Sequence, residues 1–144
     1  MKKSGAMLVL LLAGPVGGQS VPAPMTPGAA PVDADARLQG QRLYASHCLS
    51  CHQADGYGVP NLQPAITGGT WVKGESSALA LFVLTGGFDS AQRKESESHN
   101  VMPAFRQLSD EHLAAILTYI REKFGDGAAP VSAAEVAAAR ATLP

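Results

Sequence analysis

Residues 48–52 read Cys-Leu-Ser-Cys-His, two thiols three apart followed at once by an imidazole. C-x-x-C-H is the attachment pattern of a c-type haem. In that chemistry Cys48 and Cys51 bond covalently to the two vinyl groups of one porphyrin, and His52 becomes the proximal ligand of the iron. The chain has two cysteines, so one haem uses both. Two other readings compete for the same residues. A redox-active C-x-x-C belongs at a strand-to-helix turn inside a βαβ pattern, and no such alternation flanks this one. A structural zinc site needs four nitrogen or sulfur ligands at paired spacings; beyond the motif the chain offers only His47, His99 and His112, which are scattered. Haem attachment is the reading these residues favour.

The second axial position decides what such an iron does. Methionine there raises the reduction potential and suits electron transfer, whereas an open or weakly held position suits oxygen or peroxide chemistry. Of four methionines, Met1 and Met7 belong to an N-terminal targeting segment and Met25 to a Pro-rich stretch, which leaves Met102. Pro103 fixes its own φ and biases Met102 to an extended backbone, from which the thioether can project away from the loop. Filling the core is the competing role for a lone methionine. His99 is the rival ligand, but it ends a charged run where solvation is the default. His47 directly precedes Cys48 and cannot easily reach over the ring, and His112 falls on the surface of the last long helix.

The elements that must position these residues read as helices and loops. Asp33 or Asp35 can cap a helix through Ala36 to about His47, with Ala36, Gly40, Leu43, Tyr44 and His47 on one face. Gly40 in its middle costs about 1 kcal/mol against alanine, a cost explained if another helix crosses there and needs the backbone close. After the motif the pattern loses its period: turn formers from Asp55 to Asn61, Pro64 and Gly68-Gly69 predict a loop that wraps something. Ser76 or Ser77 can cap a short helix over Ala78–Leu84, closed by Gly86-Gly87. Asp89–Asn100 is polar and reads as an exposed loop. Ser109 caps the strongest helix, with Asp110 and Glu111 in its positive first turn; Leu113, Ile116, Leu117, Ile120 and Phe124 form its apolar stripe and Gly125 ends it. Ser132-Ala-Ala-Glu135 is a capping box that opens a small Ala-rich helix to about Thr142. No alternating strand pattern of useful length is present, so the expected fold class is all-α, several short helices and loops around one covalently bound haem.

Lys2 and Lys3, the apolar run Ala6–Gly14 and the small residues after it read as a cleavable signal peptide over residues 1–20, with the cut near Gly18 or Ser20. The apolar run is too short for the ~20 residues of a membrane helix, so export without membrane anchoring is expected, in keeping with haem attachment outside the bacterial cytoplasm. Residues 21–34 are Pro- and Ala-rich and read as a linker. Residues 35–125 then form one small domain and 126–144 an extension with a short helix. A chain of this size makes a modest core for itself, which a buried porphyrin would enlarge. Of the eleven basic and twelve acidic residues, two basic ones leave with the signal peptide, so the mature chain is mildly acidic. It carries no basic patch, which argues against nucleic acid or an acidic membrane as partner.

Taken in order, Gly40-x-x-x-Tyr44, Cys48-Leu-Ser-Cys51-His52, Pro64-Ala-Ile66, Met102-Pro-Ala-Phe105 and Leu113-x-x-Ile116-Leu-x-Tyr119-Ile resemble the soluble class I monohaem cytochromes c over about Ala36 to Phe124. Trp71-Val-x-Gly74, Val83-Leu-x-Gly86, Met102-Pro-Ala-Phe-x-x-Leu-Ser-Asp and the closing Ala-Pro-Val-Ser-Ala-Ala-Glu-Val-Ala-Ala-Ala-Arg are similar to bacterial cytochromes that serve periplasmic dehydrogenases, as separate carriers or as subunits. The resemblance implies a cytochrome c fold in which the first and last helices cross near Gly40, Tyr44, Ile116 and Tyr119. It also implies that the Pro64 carbonyl accepts the Nδ1 hydrogen of His52, with Pro60 as a substitute, and that Trp71 lies near a haem propionate or simply packs.

The expectation is a non-catalytic, periplasmic one-electron carrier with one covalent haem c ligated by His52 and Met102. A dehydrogenase would be its donor, and an oxidase or other cytochrome its acceptor. The alternative is a haem enzyme or sensor in which Met102 is absent from the iron or displaced.

Overall fold

The computed structural model describes residues 34–87 and 100–144. The expected signal peptide, nearly all of the linker, and Asp89–His99 with its histidine fall outside the described residues. Within them the chain forms six helices: α1 Ala34–His47, α2 Leu49–His52, α3 Thr70–Lys73, α4 Ser76–Thr85, α5 Asp110–Phe124 and α6 Ala133–Ala141. An isolated bridge between Val59 and Gln63 is the one β pairing among the described residues. The all-α class expected from the sequence is therefore the class observed.

α1 begins at Ala34, two residues earlier than expected, so Asp35 lies in its first turn rather than at its cap. Gly40 and Tyr44 are its buried residues, and Gly40 marks the crossing with α5. A Cβ at Gly40 would overlap the Ala115 carbonyl oxygen and stand 3.0 Å from the Tyr119 Cβ. The backbone approach predicted from an unexplained mid-helix glycine is thus present, and Tyr44 packs there against Tyr119 and Phe124, ring centroids 5.3 and 5.5 Å away.

α5 follows its sequence signals closely. Ser109 accepts a hydrogen bond from His112 N at 3.2 Å, and Gly125 closes the C-terminus on the Arg121 carbonyl. Its stripe of Leu113, Ile116, Leu117, Ile120 and Phe124 is buried in the core. α4 departs from expectation at its start. It spans Ser76–Thr85 with Glu75 at the cap and no side-chain cap bond, because the Ser76 hydroxyl donates instead to the Glu135 carboxylate of α6. At its other end Gly86 takes a left-handed φ of 86° and Gly87 N donates to Phe82 O at 2.7 Å, the helix stop foreseen at Gly86-Gly87.

The wrapping loop is tied down by its own backbone. Ile66 N and Thr67 N donate to Gly56 O at 2.8 and 3.1 Å, and Gly68 N reaches Phe124 O at the end of α5, 2.8 Å away. The turn at α3 that follows carried no sequence signal strong enough to predict it. Beyond Gly125, the capping box at Ser132 and Glu135 is formed, and Val131, Val136 and Ala139 are buried in the same core cluster as α4 and α5. No helix among the described residues is long and apolar enough to cross a membrane.

Candidate functional site

The C-x-x-C-H segment folds as one helical turn that continues from α1 after a break. Cys48 N donates to Tyr44 O at 2.8 Å, and His52 N to Cys48 O at 2.9 Å, so the two thiols and the imidazole stand on a turn held at both ends. The far end is pinned by Tyr44, whose hydroxyl donates to Gln53 O at 2.6 Å. Burial, and secondarily the Cys48 thiol, holds the Tyr44 phenol well above its ordinary pKa, so it remains a neutral donor. Burial and then the neighbouring Cys51 push the free Cys48 thiol up to about 11. Neither cysteine is in a disulfide.

This turn forms part of the lining of a largely apolar cleft of about 320 Å³, within the size range of cofactor sites. The sides come from elements spread between His47 and Ile120: Cys48, Cys51 and His52 from the motif, Gln63 to Ile66 from the wrapping loop, Trp71 and Val72 from α3, Phe82 and Val83 from α4, Met102 and Phe105 from the segment before α5, and Ile116 and Ile120 from α5. No group of three or more His, Cys, Asp or Glu among the described residues could hold a bare metal ion, and no strand accompanies the C-x-x-C. The zinc and thioredoxin-like readings therefore lack their structural partners among the described residues.

His52 is half-buried, and burial lowers its pKa, opposed by the backbone carbonyl of Pro64. Its Nδ1 is buried and makes no hydrogen bond of good geometry among the described residues; the Pro64 carbonyl lies near enough to act on the ring's charge without meeting that geometry. Pro64 lines the cleft, whereas Pro60 does not. A half-buried imidazole whose pKa burial lowers, two adjacent thiols and an apolar slot make a donor set and a cradle that fit a covalently attached porphyrin.

Met102 is half-buried, packs against the core and lines the same cleft. Its Sδ lies 3.5 Å from where a Cβ on Gly87 would stand. The other histidines divide. His112 is exposed in the first turn of α5. His47 also lines the cleft, with its ring in edge contact with Phe105, centroids 6.1 Å apart. Trp71 lines the cleft while stacked on Phe82 at 4.4 Å, so packing is part of its role.

Arg121 escaped the sequence reading. It is 5% exposed, and its guanidinium donates to Ala129 O at 2.6 Å, Val72 O at 3.1 Å and Gly74 O at 2.7 Å. It thereby joins the end of α3, which carries Trp71, to α5 and to the segment before α6. The available signal was register: Arg121 continues the spacing of Leu113 and Leu117 along the buried face of α5.

This helical fold, with its motif turn set in an apolar cleft, is that of a haem-binding electron-transfer domain. Residues 38–123 match the Cytochrome c family, and the chain belongs to it; its cofactor is covalently bound haem c, and it carries electrons rather than turning over a substrate. Among known proteins it is 34% identical over 115 residues to cytochrome c-552 of Thermus thermophilus, spanning 74% of this chain and 77% of that one. It is 33% identical over 110 residues to the fructose dehydrogenase cytochrome subunit of Gluconobacter japonicus, covering 71% of this chain but 22% of that subunit. The gluconate 2-dehydrogenase cytochrome c subunit of Pantoea cypripedii is likewise 33% identical over 108 residues, 70% of this chain and 24% of that one.

Proposed function

We propose that the chain is an exported one-electron carrier whose haem c is bonded through Cys48 and Cys51 and ligated by His52 and Met102. The observation that carries this reading is that the motif turn and Met102, fifty residues apart in sequence, line one apolar cleft. When bound, haem c supplies a single iron that changes by one electron. The chain's own groups do the rest. Cys48 and Cys51 hold the ring, and the neutral His52 presents a nitrogen as ligand. The carbonyl of Pro64, which lines the same cleft, is the acceptor we assign to His52 Nδ1 in the haem-bound protein, where it would keep the imidazole oriented. Met102 supplies a soft sulfur that favours the ferrous state, and Phe82, Val83, Ile116 and Ile120 exclude water. Little needs to move between the two oxidation states.

The Lys2-Lys3 start and the apolar run after it support export to the periplasm. The two dehydrogenase cytochrome subunits among the named relatives support a dehydrogenase as donor; the acceptor proposed is an oxidase or another cytochrome. The ferric holoprotein is expected to show the weak near-infrared methionine-to-iron charge-transfer band, and the ferrous form to bind carbon monoxide poorly. Met102→Ala should abolish the band, admit carbon monoxide and lower the potential by on the order of 0.1 V or more, within the ~0.8 V that axial ligands set. A wild-type protein that lacks the band at neutral pH and takes up carbon monoxide readily belongs instead to the open-site haem proteins. Co-purification of the native protein with its reductant identifies the donor.

A further inference from the structure

The segment that delivers Met102 has no regular structure: residues 101–105 belong to no helix or strand, and a turn follows at 106–107. Its path is therefore held by contacts from outside. Asn100 N donates to Leu62 O at 3.3 Å before it, and Phe105 N donates to Val83 O at 3.2 Å after it. The strongest hold comes from the far end of the chain. Arg140, near the end of α6, donates from Nη1 to Arg106 O at 2.7 Å and from Nη2 to Leu108 O at 2.6 Å, while its Nε meets Asp110 Oδ1 at 2.8 Å. One guanidinium fork thus spans two carbonyls of the irregular segment and the first residue of α5. A planar group with fixed donor directions suits such a site, and lysine does not reproduce it. Arg140 lies beyond the residues that match the family.

We infer that Arg140 is a positioning residue for Met102: by fixing the Arg106 and Leu108 carbonyls it sets how readily an outside ligand takes the place of the thioether on the iron. This rests on Met102 being the second axial ligand. Freed at these points, the segment samples arrangements in which the sulfur is withdrawn, and a competing ligand captures that fraction. Its hydrogen bonds go to the Arg106 and Leu108 carbonyls and the Asp110 carboxylate, not to His52 or Met102, so it acts on the ligand through the segment it holds.

The test is a titration of the ferric holoprotein with imidazole, following loss of the methionine-to-iron band, in the wild type, Arg140→Ala, Arg140→Lys, Glu135→Ala and Met102→Ala. Arg140→Ala is expected to raise the apparent affinity for imidazole by about tenfold, in the range by which substitutions distant from a site shift coupling to it. Arg140→Lys should fall between it and the wild type. Glu135→Ala removes the capping box and the Ser76 bond from the same helix and should leave the affinity unchanged, which separates the fork from general loosening of α6. If Arg140→Ala does not fold, Arg140→Lys decides by the same readout. Wild-type affinity in the Arg140 variants, or an equal rise in Glu135→Ala, overturns the positioning role while leaving Met102 as ligand. A wild-type spectrum without the band, or one that Met102→Ala leaves unaltered, overturns the ligand assignment itself and this role with it.

Discussion

Gly86 lies against the backbone of Met102: a Cβ on Gly86 would stand 2.8 Å from the Met102 carbonyl oxygen and 3.0 Å from Ala104 N. The same glycine ends α4 at a φ of 86°. One residue thus does two things, stopping a helix and making room for the segment that brings the thioether to the cleft.

Gly86→Ala should therefore fail on both counts. A left-handed φ in a residue with a Cβ costs about 1–3 kcal/mol, and the added atom meets backbone that cannot rotate away. Chemical denaturation should show a loss of at least this size, and the methionine-to-iron band should weaken along with it. A variant that loses stability but keeps the full band would separate the helix stop from the Met102 segment.

At the helix crossing, Gly40→Ala gains about 1 kcal/mol of helix propensity and meets the Ala115 carbonyl and Tyr119 Cβ. Overpacking typically costs 1–3 kcal/mol, and here the obstacle includes main chain, so net destabilisation of about 1–2 kcal/mol is expected by denaturant unfolding of the holoprotein. Gly40→Val should be worse. A neutral or stabilising Gly40→Ala would show that α1 and α5 separate freely.

Arg121→Ala strips three carbonyls, those of Val72, Gly74 and Ala129, of their shared donor. Hydrogen bonds from a charged donor contribute about 1.5–3 kcal/mol each in context, and not additively, so a loss of about 3 kcal/mol or more is expected in thermal or denaturant unfolding. Arg121→Lys should recover only part of it, because an ammonium cannot match the fork. Protection of the α3 amides from hydrogen exchange should fall in both variants.

Glu135 gives the acid side of the stability curve a definite sign. Hydrogen bonds from the Ser76 hydroxyl, then from Ser132 N and Oγ, hold its carboxyl below its ordinary value of 4.5. The unfolded chain binds this proton more readily than the folded one, so the contribution is present above about pH 4.5 and is lost as the pH falls through the depressed folded value. The carboxylate is partly exposed, so the contribution is less than about 1 kcal/mol. Unfolding measured from pH 7 to pH 3 should decline less steeply in Glu135→Gln than in the wild type, and the variant should be slightly the less stable at pH 7. Parallel curves would remove Glu135 from the acid response.

Much of this protein was legible in its residues because the signals are local. Cys48, Cys51 and His52 are neighbours on one turn, Ser109 and His112 cap α5 across three residues, and Ser132 with Glu135 does the same for α6. Gly40 went further, announcing a helix crossing by a propensity cost with no local reason. The sequence by itself determined the all-α class, most of the helix ends and the attachment motif, and it put Met102 forward as the candidate for the second ligand position.

What tertiary structure decided is where residues far apart in the chain spend their hydrogen-bonding groups. Ser76 reads as a cap but bonds to Glu135, because α6 lies against α4. Arg121, in register with Leu113 and Leu117, stays charged in the buried face of α5 because carbonyls from α3 and from the segment before α6 converge on it. Among the described residues Arg140 has no local partner in its own helix, and the fold carries it to Arg106 and Leu108. The physical reason is the same in each case. Caps and motifs are settled within a few residues, while side-chain groups and backbone carbonyls without a local partner find one only once the chain has packed.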